Sequence, residues 1–206
     1  MLHMTMTKKE FQSEQSRASI LAATMDLVSK HGFNGTSVDK IASQSGLSKG
    51  SIFWHFSNKA TLFGAVISEI RDTLLNGLVK GFRDDQSIKE KIELLLDNYC
   101  GLIEADCSRC IDLTVLIIEM AETNVELSDE LRDLFAAVTD NMIFLLEEGK
   151  KRGELDDSID SRMTAYTVAG NLQGMTVQYY LNRPNLEYSG LMDAYKKILL
   201  GGLFRS

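Results

Sequence analysis

Between Thr36 and Lys59 the chain reads TSVDKIASQSGLSKGSIFWHFSNK, two short helical patterns hinged on one glycine. Val38, Ile41 and Ala42 recur at helical spacing and mark one apolar face. Thr36, with Asp39 three residues on, forms a weak capping box for that helix. Gly46 supplies the turn, because glycine takes a left-handed backbone at no steric cost. Ser48 is placed to cap a second helix, whose Ile52 and Phe56 lie four apart and point back at the first. These signals together predict a helix-turn-helix, the unit that lays its second helix in the major groove of DNA.

The remaining chain predicts helices and no strands. Of 206 residues only Pro184 interrupts it, and no segment keeps a strand alternation. Helical periodicity predicts a first helix over 15–31, with Ile20, Ala23, Leu27 and Val28 inward and Gly32 as its stop. A helix after Ser57 turns Leu62, Val66, Ile70 and Leu74 inward, and a capping box of Ser87 and Glu90 opens the next. Further helices are expected at 108–122, 128–151, 159–182 and 186–204. No apolar run reaches the roughly 18 residues of a membrane span, and MLHMTMTKKE lacks the apolar core of a signal peptide. The expected address is therefore cytoplasmic, with no membrane partner. The net charge of −7 opposes nucleic-acid binding until the chain is divided. Residues 1–60 carry seven Lys and Arg against four Asp and Glu, a net +3, and the rest carries −10. A basic head on an acidic body accepts phosphate in one orientation and repels it in others.

From Arg17 to about Phe63 the chain resembles the DNA-binding domain of the TetR family of bacterial regulators. The residues carrying the resemblance are Arg17, Ile20–Ala23, Gly32–Phe33, Thr36–Val38, Ile41–Ala42, Ser45–Ser51, His55–Phe56 and Lys59. The resemblance implies an all-α fold of about nine helices and three regions. These are a flexible arm over 1–13, a DNA-binding domain over 14–60, and a ligand-binding and dimerisation domain over 61–206. It also implies a double-stranded DNA operator, a second copy of the chain and a small-molecule effector as partners. No cofactor is implied.

Candidate DNA contacts follow from the motif. On a wheel of about 100° per residue, Gly50, Ser51 and Trp54 lie opposite Ile52 and Phe56. Gly50 leaves the backbone open to close approach, and Lys49 and Ser51 reach bases or phosphates. Phe53 and Trp54 offer flat apolar surface. Ser48 caps the helix. By resemblance, Thr36, Ser37, His55 and Lys59 stand on phosphates. At Phe53 most relatives carry Tyr, whose hydroxyl reaches a phosphate, and phenylalanine lacks that contact.

The body offers less specific signals. Ala169, Gly170 and Gly174 let helix backbones approach, and Leu191, Tyr195, Ile198 and Leu199 keep core spacing, so both helices are expected at a dimer interface. Candidate effector-lining residues are Phe63, Tyr99, Ile103, Leu113, Ile117, Met120, Phe144 and Gln173, although a plain core stripe looks the same. Cys100, Cys107 and Cys110 form a cluster without a nearby histidine, a poor zinc site. They fit either inert burial or a thiol sensor, since Arg109 would lower a neighbouring thiol pKa. No phosphate loop, HExxH or GxSxG occurs, and His3, His31 and His55 are scattered, so catalysis is not expected. The reading is a ligand-responsive repressor binding a palindrome as a homodimer. The alternatives are a redox or electrophile sensor and a helical adaptor that no longer reads DNA.

Overall fold

A computed structural model describes the backbone of residues 7–123 and 125–204, with side chains throughout except at 29, 106–126, 128, 131, 135, 137 and 138. Eight helical elements follow one another: α1 (Lys8–Gly35), α2 (Val38–Ser45), α3 (Lys49–His55), α4 (Lys59–Leu78), α5 (Ile88–Thr123), α6 (Val125–Lys151), α7 (Ser161–Asn182) and α8 (Tyr188–Leu203). No strand occurs among the described residues. Because α1 is two helical stretches run together across a kink at Gly32, the expected count of about nine is met, but by a different division of the chain.

Two boundaries differ from the expectation. The predicted arm is helical from Lys8, started by a capping box in which the Glu10 carboxylate accepts from the Thr7 amide at 2.7 Å and the Thr7 hydroxyl accepts from the Glu10 amide at 3.3 Å. Lys, Glu and Gln are good helix formers, so the lack of an apolar stripe there did not prevent a helix. The break expected before residue 108 is absent, and α5 runs unbroken to Thr123. Neither Gly nor Pro stands between Leu102 and Thr123 to stop it. The Ser87–Glu90 capping box at the head of α5 forms as read, with both reciprocal bonds present.

The chain divides into two compact units, Met1–Glu69 with Val115–Glu130, and Ile70–Thr114 with Leu131–Ser206. In the first unit Ile20, Leu21, Leu27, Ile41, Ile52, Phe56 and Leu62 are buried, and the Arg17 guanidinium lies 5.7 Å from the Phe56 ring centre. Each such apolar side chain contributes about 1.5–3 kcal/mol by leaving water. The first unit also draws on a distant segment, since Leu127 and Glu130 lie within 4 Å of where a Cβ on Gly64 would stand.

The second unit has one apolar core. Ile92, Leu95, Leu96 and Ile103 of α5 meet Met142, Leu145 and Leu146 of α6, Val168 and Leu172 of α7, and Tyr188, Met192 and Tyr195 of α8. The Tyr188 hydroxyl is too deep for water and shares a hydrogen bond of 3.2 Å with Thr176, which also stands 3.3 Å from the Tyr99 hydroxyl. Burying a phenol without such a partner would be unfavourable. Asp160 caps α7 through the Met163 amide at 3.0 Å, and an ion pair between Lys196 and Asp97 ties α8 to α5.

Candidate nucleic-acid interface

The reading head is assembled from caps inward. Ser37, not Thr36, caps α2, its hydroxyl accepting from the Lys40 amide at 3.3 Å. Thr36 instead ends α1, donates its hydroxyl to the Gly32 carbonyl at 2.8 Å and is only 1% exposed. The capping reading missed by one residue, and burial removes Thr36 from the groups that can reach a phosphate. Gly46 closes α2 at φ 71°, a conformation that disfavours any side chain. Ser48 caps α3 through the Ser51 amide at 3.1 Å. Ile52 and Phe56 are then buried against the head, which fixes the rotation of α3.

That rotation decides what faces solvent. Trp54 is 71% exposed and Phe53 49%, beside exposed Lys49, Gly50 and Ser48 and half-buried Ser51 and His55. The His55 ring stands edge-on to the Trp54 indole at 4.6 Å, limiting where the indole can swing. Lys49 pairs with Asp39 of α2, a residue the sequence reading used only as a cap partner. A Cβ built on Gly50 would find nothing nearer than the Ser48 hydroxyl at 3.7 Å. The chain's own packing therefore does not require glycine at this helical position.

Lys59 departs from its expected place. Its ammonium donates to the Phe33 carbonyl at 2.8 Å and lies 4.2 Å from the Phe33 ring centre and 5.3 Å from that of Phe63. Burial pulls its pKa down. Lys59 is thus turned into the head instead of outward to a phosphate.

The other candidates separate. Phe63 is buried in the head beneath Lys59, and Phe144 is 62% exposed, so neither walls a cavity in the body. Ile103 sits in the core, Tyr99 is half-buried on the hydroxyl chain to Thr176, and Gln173 is half-buried on α7. The side chains of Leu113, Ile117 and Met120 lie outside the described residues, as do those of Cys107 and Cys110. Cys100 is buried, and that burial, followed by the charge of Glu104, pushes its thiol up to about 11, the opposite of a reactive thiolate. Among the described residues no group of His, Cys, Asp and Glu could hold a metal, and no helix is long and apolar enough to cross a membrane.

On α7 and α8, Gly170, Gly174 and Leu191 line a shallow groove of about 560 Å³ with Thr167, Asn171, Met175 and Gln178. Ala169 and Leu199 are half-buried, and Ile198 is exposed. Tyr195 belongs to the core, where burial raises its phenol to about 12. Sequence reasoning missed the rest of the outward face of α7. Met163, Tyr166, Val177 and Leu181 are exposed, and with Gly170 and Gly174 they recur every three or four residues. This stripe lies opposite Ala165, Val168, Leu172 and Thr176, which face the core.

Two capped helices turning at Gly46, the second presenting polar and aromatic groups outward, define a helix-turn-helix reader. Residues 20–66 match the family model of bacterial regulatory proteins, tetR family. The chain is similar to the HTH-type transcriptional regulator RutR of Escherichia coli K12, with 32% identity over 155 residues, 73% of this chain and 69% of that one. It is also similar to the fatty acid metabolism regulator protein of Bacillus subtilis strain 168, 21% identical over 192 residues, 93% and 97% of the two chains. The crystal structure of FadR from Bacillus subtilis, in complex with stearoyl-CoA, superposes at a TM-score of 0.76 and 20% identity, covering 90% of this chain and 98% of that one. The chain belongs to the tetR family of bacterial regulatory proteins and is a transcriptional regulator, not an enzyme.

Proposed function

We propose that this regulator is a cytoplasmic homodimeric repressor. It binds a palindromic operator through α3 of each protomer and is released by a small-molecule effector. The observation that carries the reading is the outward edge of α3, where Trp54 is 71% exposed and a Cβ on Gly50 would meet only the Ser48 hydroxyl, at 3.7 Å. An indole exposed to water serves no purpose in the free protein, and a helical glycine costs about 1 kcal/mol against alanine. A base edge meeting both explains each. The contacts favoured are Ser37, Ser48, Lys49, Gly50, Ser51, Phe53, Trp54 and His55, with Thr36 and Lys59 withdrawn.

Dimerisation is supported by the second apolar face of α7 and by Leu191 and Ile198 of α8. A helix that is apolar on two opposite sides needs two partners, and the protomer supplies one. Readers of this kind bind half-sites about one helical turn, roughly 34–36 Å, apart. For the effector, similarity to the Bacillus fatty acid regulator along nearly its whole length favours a fatty acyl thioester. Tyr99, Ile103 and Gln173 are the described residues proposed to meet it.

The test is selection of genomic fragments by the purified protein at near-physiological salt, followed by release with stearoyl-CoA. One palindromic class of sites is expected, with Trp54 emission changing on those sites and not on random DNA. No enrichment by a folded dimer would overturn the repressor in favour of a helical adaptor. Enrichment without release by the thioester would overturn only the effector class.

A further inference from the structure

The end of α1 is fastened in an uncommon way. Gly32 leaves the helix at φ 68°, which interrupts the helical ladder; the Phe33 carbonyl accepts from the Thr36 amide at 3.3 Å, and further donors reach the carbonyls around the kink. Three of them are met by side chains. The Gly32 carbonyl accepts from the Thr36 hydroxyl, the Gly35 carbonyl from the Lys40 ammonium and the Phe33 carbonyl from the Lys59 ammonium, each at 2.8 Å. Thr36 and Lys40 come from the turn itself and the helix after it. Lys59 comes from the far side of the helix-turn-helix, 26 residues along the chain.

The same ammonium stands against two aromatic rings. Phe33 and Phe63 meet edge-on at 4.4 Å between centres, and the cation lies 4.2 Å from one and 5.3 Å from the other. A cation at that distance is attracted by the ring quadrupole, more strongly as water is excluded. Phe63 is itself buried one turn along α4 from Lys59, so the rings are held from both sides. The position is otherwise unfavourable for a cation. Lys59 is the first residue of α4, whose dipole presents its positive end there.

We infer that Lys59 is a positioning residue that fastens the first turn of α4 to the end of α1, closing residues 33–59 into a loop that presents α3, and is not itself a phosphate ligand. The inference rests on the DNA-reading role proposed above for α3. Closing the loop lowers the freedom of the two helices it contains, in the manner of any cross-link across a chain segment. A lysine devoted to this task contributes to DNA affinity through geometry, and not through release of counterions.

Two variants separate the roles. Lys59→Met keeps the aliphatic stem and removes the charge, whereas Lys59→Arg keeps a cation that stacks on rings. Without DNA, amide exchange across α2 and α3 should quicken about tenfold in Lys59→Met and stay near wild type in Lys59→Arg. On a labelled duplex of mixed sequence, Lys59→Met should bind more weakly with an unchanged dependence of log K on log salt. Unchanged exchange together with a salt slope reduced by about 0.9 per head would overturn the inference and make Lys59 a phosphate ligand. Should Lys59→Met not fold, the wild-type Lys59 ε-methylene protons decide. Ring-shifted resonances in the free protein support the clamp, and resonances at solvated-lysine positions overturn it. If the wild-type protein binds no duplex, the DNA-reading role fails while the exchange and resonance data still judge the clamp.

Discussion

Helices α3 and α7 each expose large apolar side chains and each carry glycine where an alanine would make a better helix. Their surroundings differ. Around Trp54 and Phe53 stand Lys49, Ser48, Ser51 and His55, a mixture of cation, hydroxyl and imidazole. Around Gly170 and Gly174 stand Met163, Tyr166, Val177 and Leu181, an apolar stripe edged by Thr167, Asn171 and Gln178, with the Arg162 guanidinium 5.9 Å from the Tyr166 ring centre. At Gly50, Gly170 and Gly174 alike, an added Cβ would meet no tight contact within the chain. An exposed apolar group thus signals a partner in both places, and the chemistry beside it says which kind. Charged and hydroxylated neighbours suit the wet, anionic surface of DNA, whereas a mainly apolar stripe suits a second copy of itself.

The contrast can be broken by substitution. The largest effect is expected from Phe56→Ala, which empties the buried side of α3 and should cost about 3–5 kcal/mol, read as loss of the head's cooperative melting. Next, Gly174→Glu sets two carboxylates in the proposed interface. It should weaken self-association by more than about a hundredfold, as an unpaired buried charge costs about 3–5 kcal/mol. Sedimentation equilibrium that still finds dimers at micromolar concentration would move the interface elsewhere.

Smaller effects sharpen the distinction. Trp54→Ala should lower affinity for the selected operator by about 10- to 100-fold, corresponding to about 1–3 kcal/mol, and leave the melting temperature in place. A fall in stability with operator affinity unchanged would show Trp54 packing in the protein instead of reading bases. Gly50→Ala is the finest probe, since α3 should gain about 0.5–1 kcal/mol while operator binding weakens. Greater stability with full binding would mean that DNA does not approach the α3 backbone there.

What was legible in the sequence was local. Ser48, Gly46, Ile52 and Phe56 act within a few residues of one another, so cap, turn and inner face were read correctly from spacing. The N-cap of α2 was missed by one residue because Thr36 and Ser37 are chemically equivalent as caps. Only the burial of Thr36 under the α1 kink separates them. Lys59 was misplaced because its partner, the Phe33 carbonyl, is distant in sequence and has no side-chain signature. The outward stripe of α7 was hidden for another reason. Two apolar faces on opposite sides cancel any net amphipathic signal, so the helix reads as uniformly mixed. The continuity of α5 is not evident from spacing because Gly101 weakens the helical pattern there, although one glycine does not end the helix.

The reading unit borrows Val115–Glu130 from far along the chain, with Leu127 and Glu130 beside Gly64. This limits how such a regulator can be recombined. Residues up to Glu69 are then not a self-contained cassette for fusion onto a new sensor, because the graft would leave behind Leu127 and Glu130, which stand beside Gly64 of α4. Exchanging specificity by recombination would demand two crossovers bracketing separate stretches of the gene, whereas point changes on α3 would alter the proposed operator contacts without disturbing that contact. Diversification of this architecture is therefore easier by substitution than by shuffling.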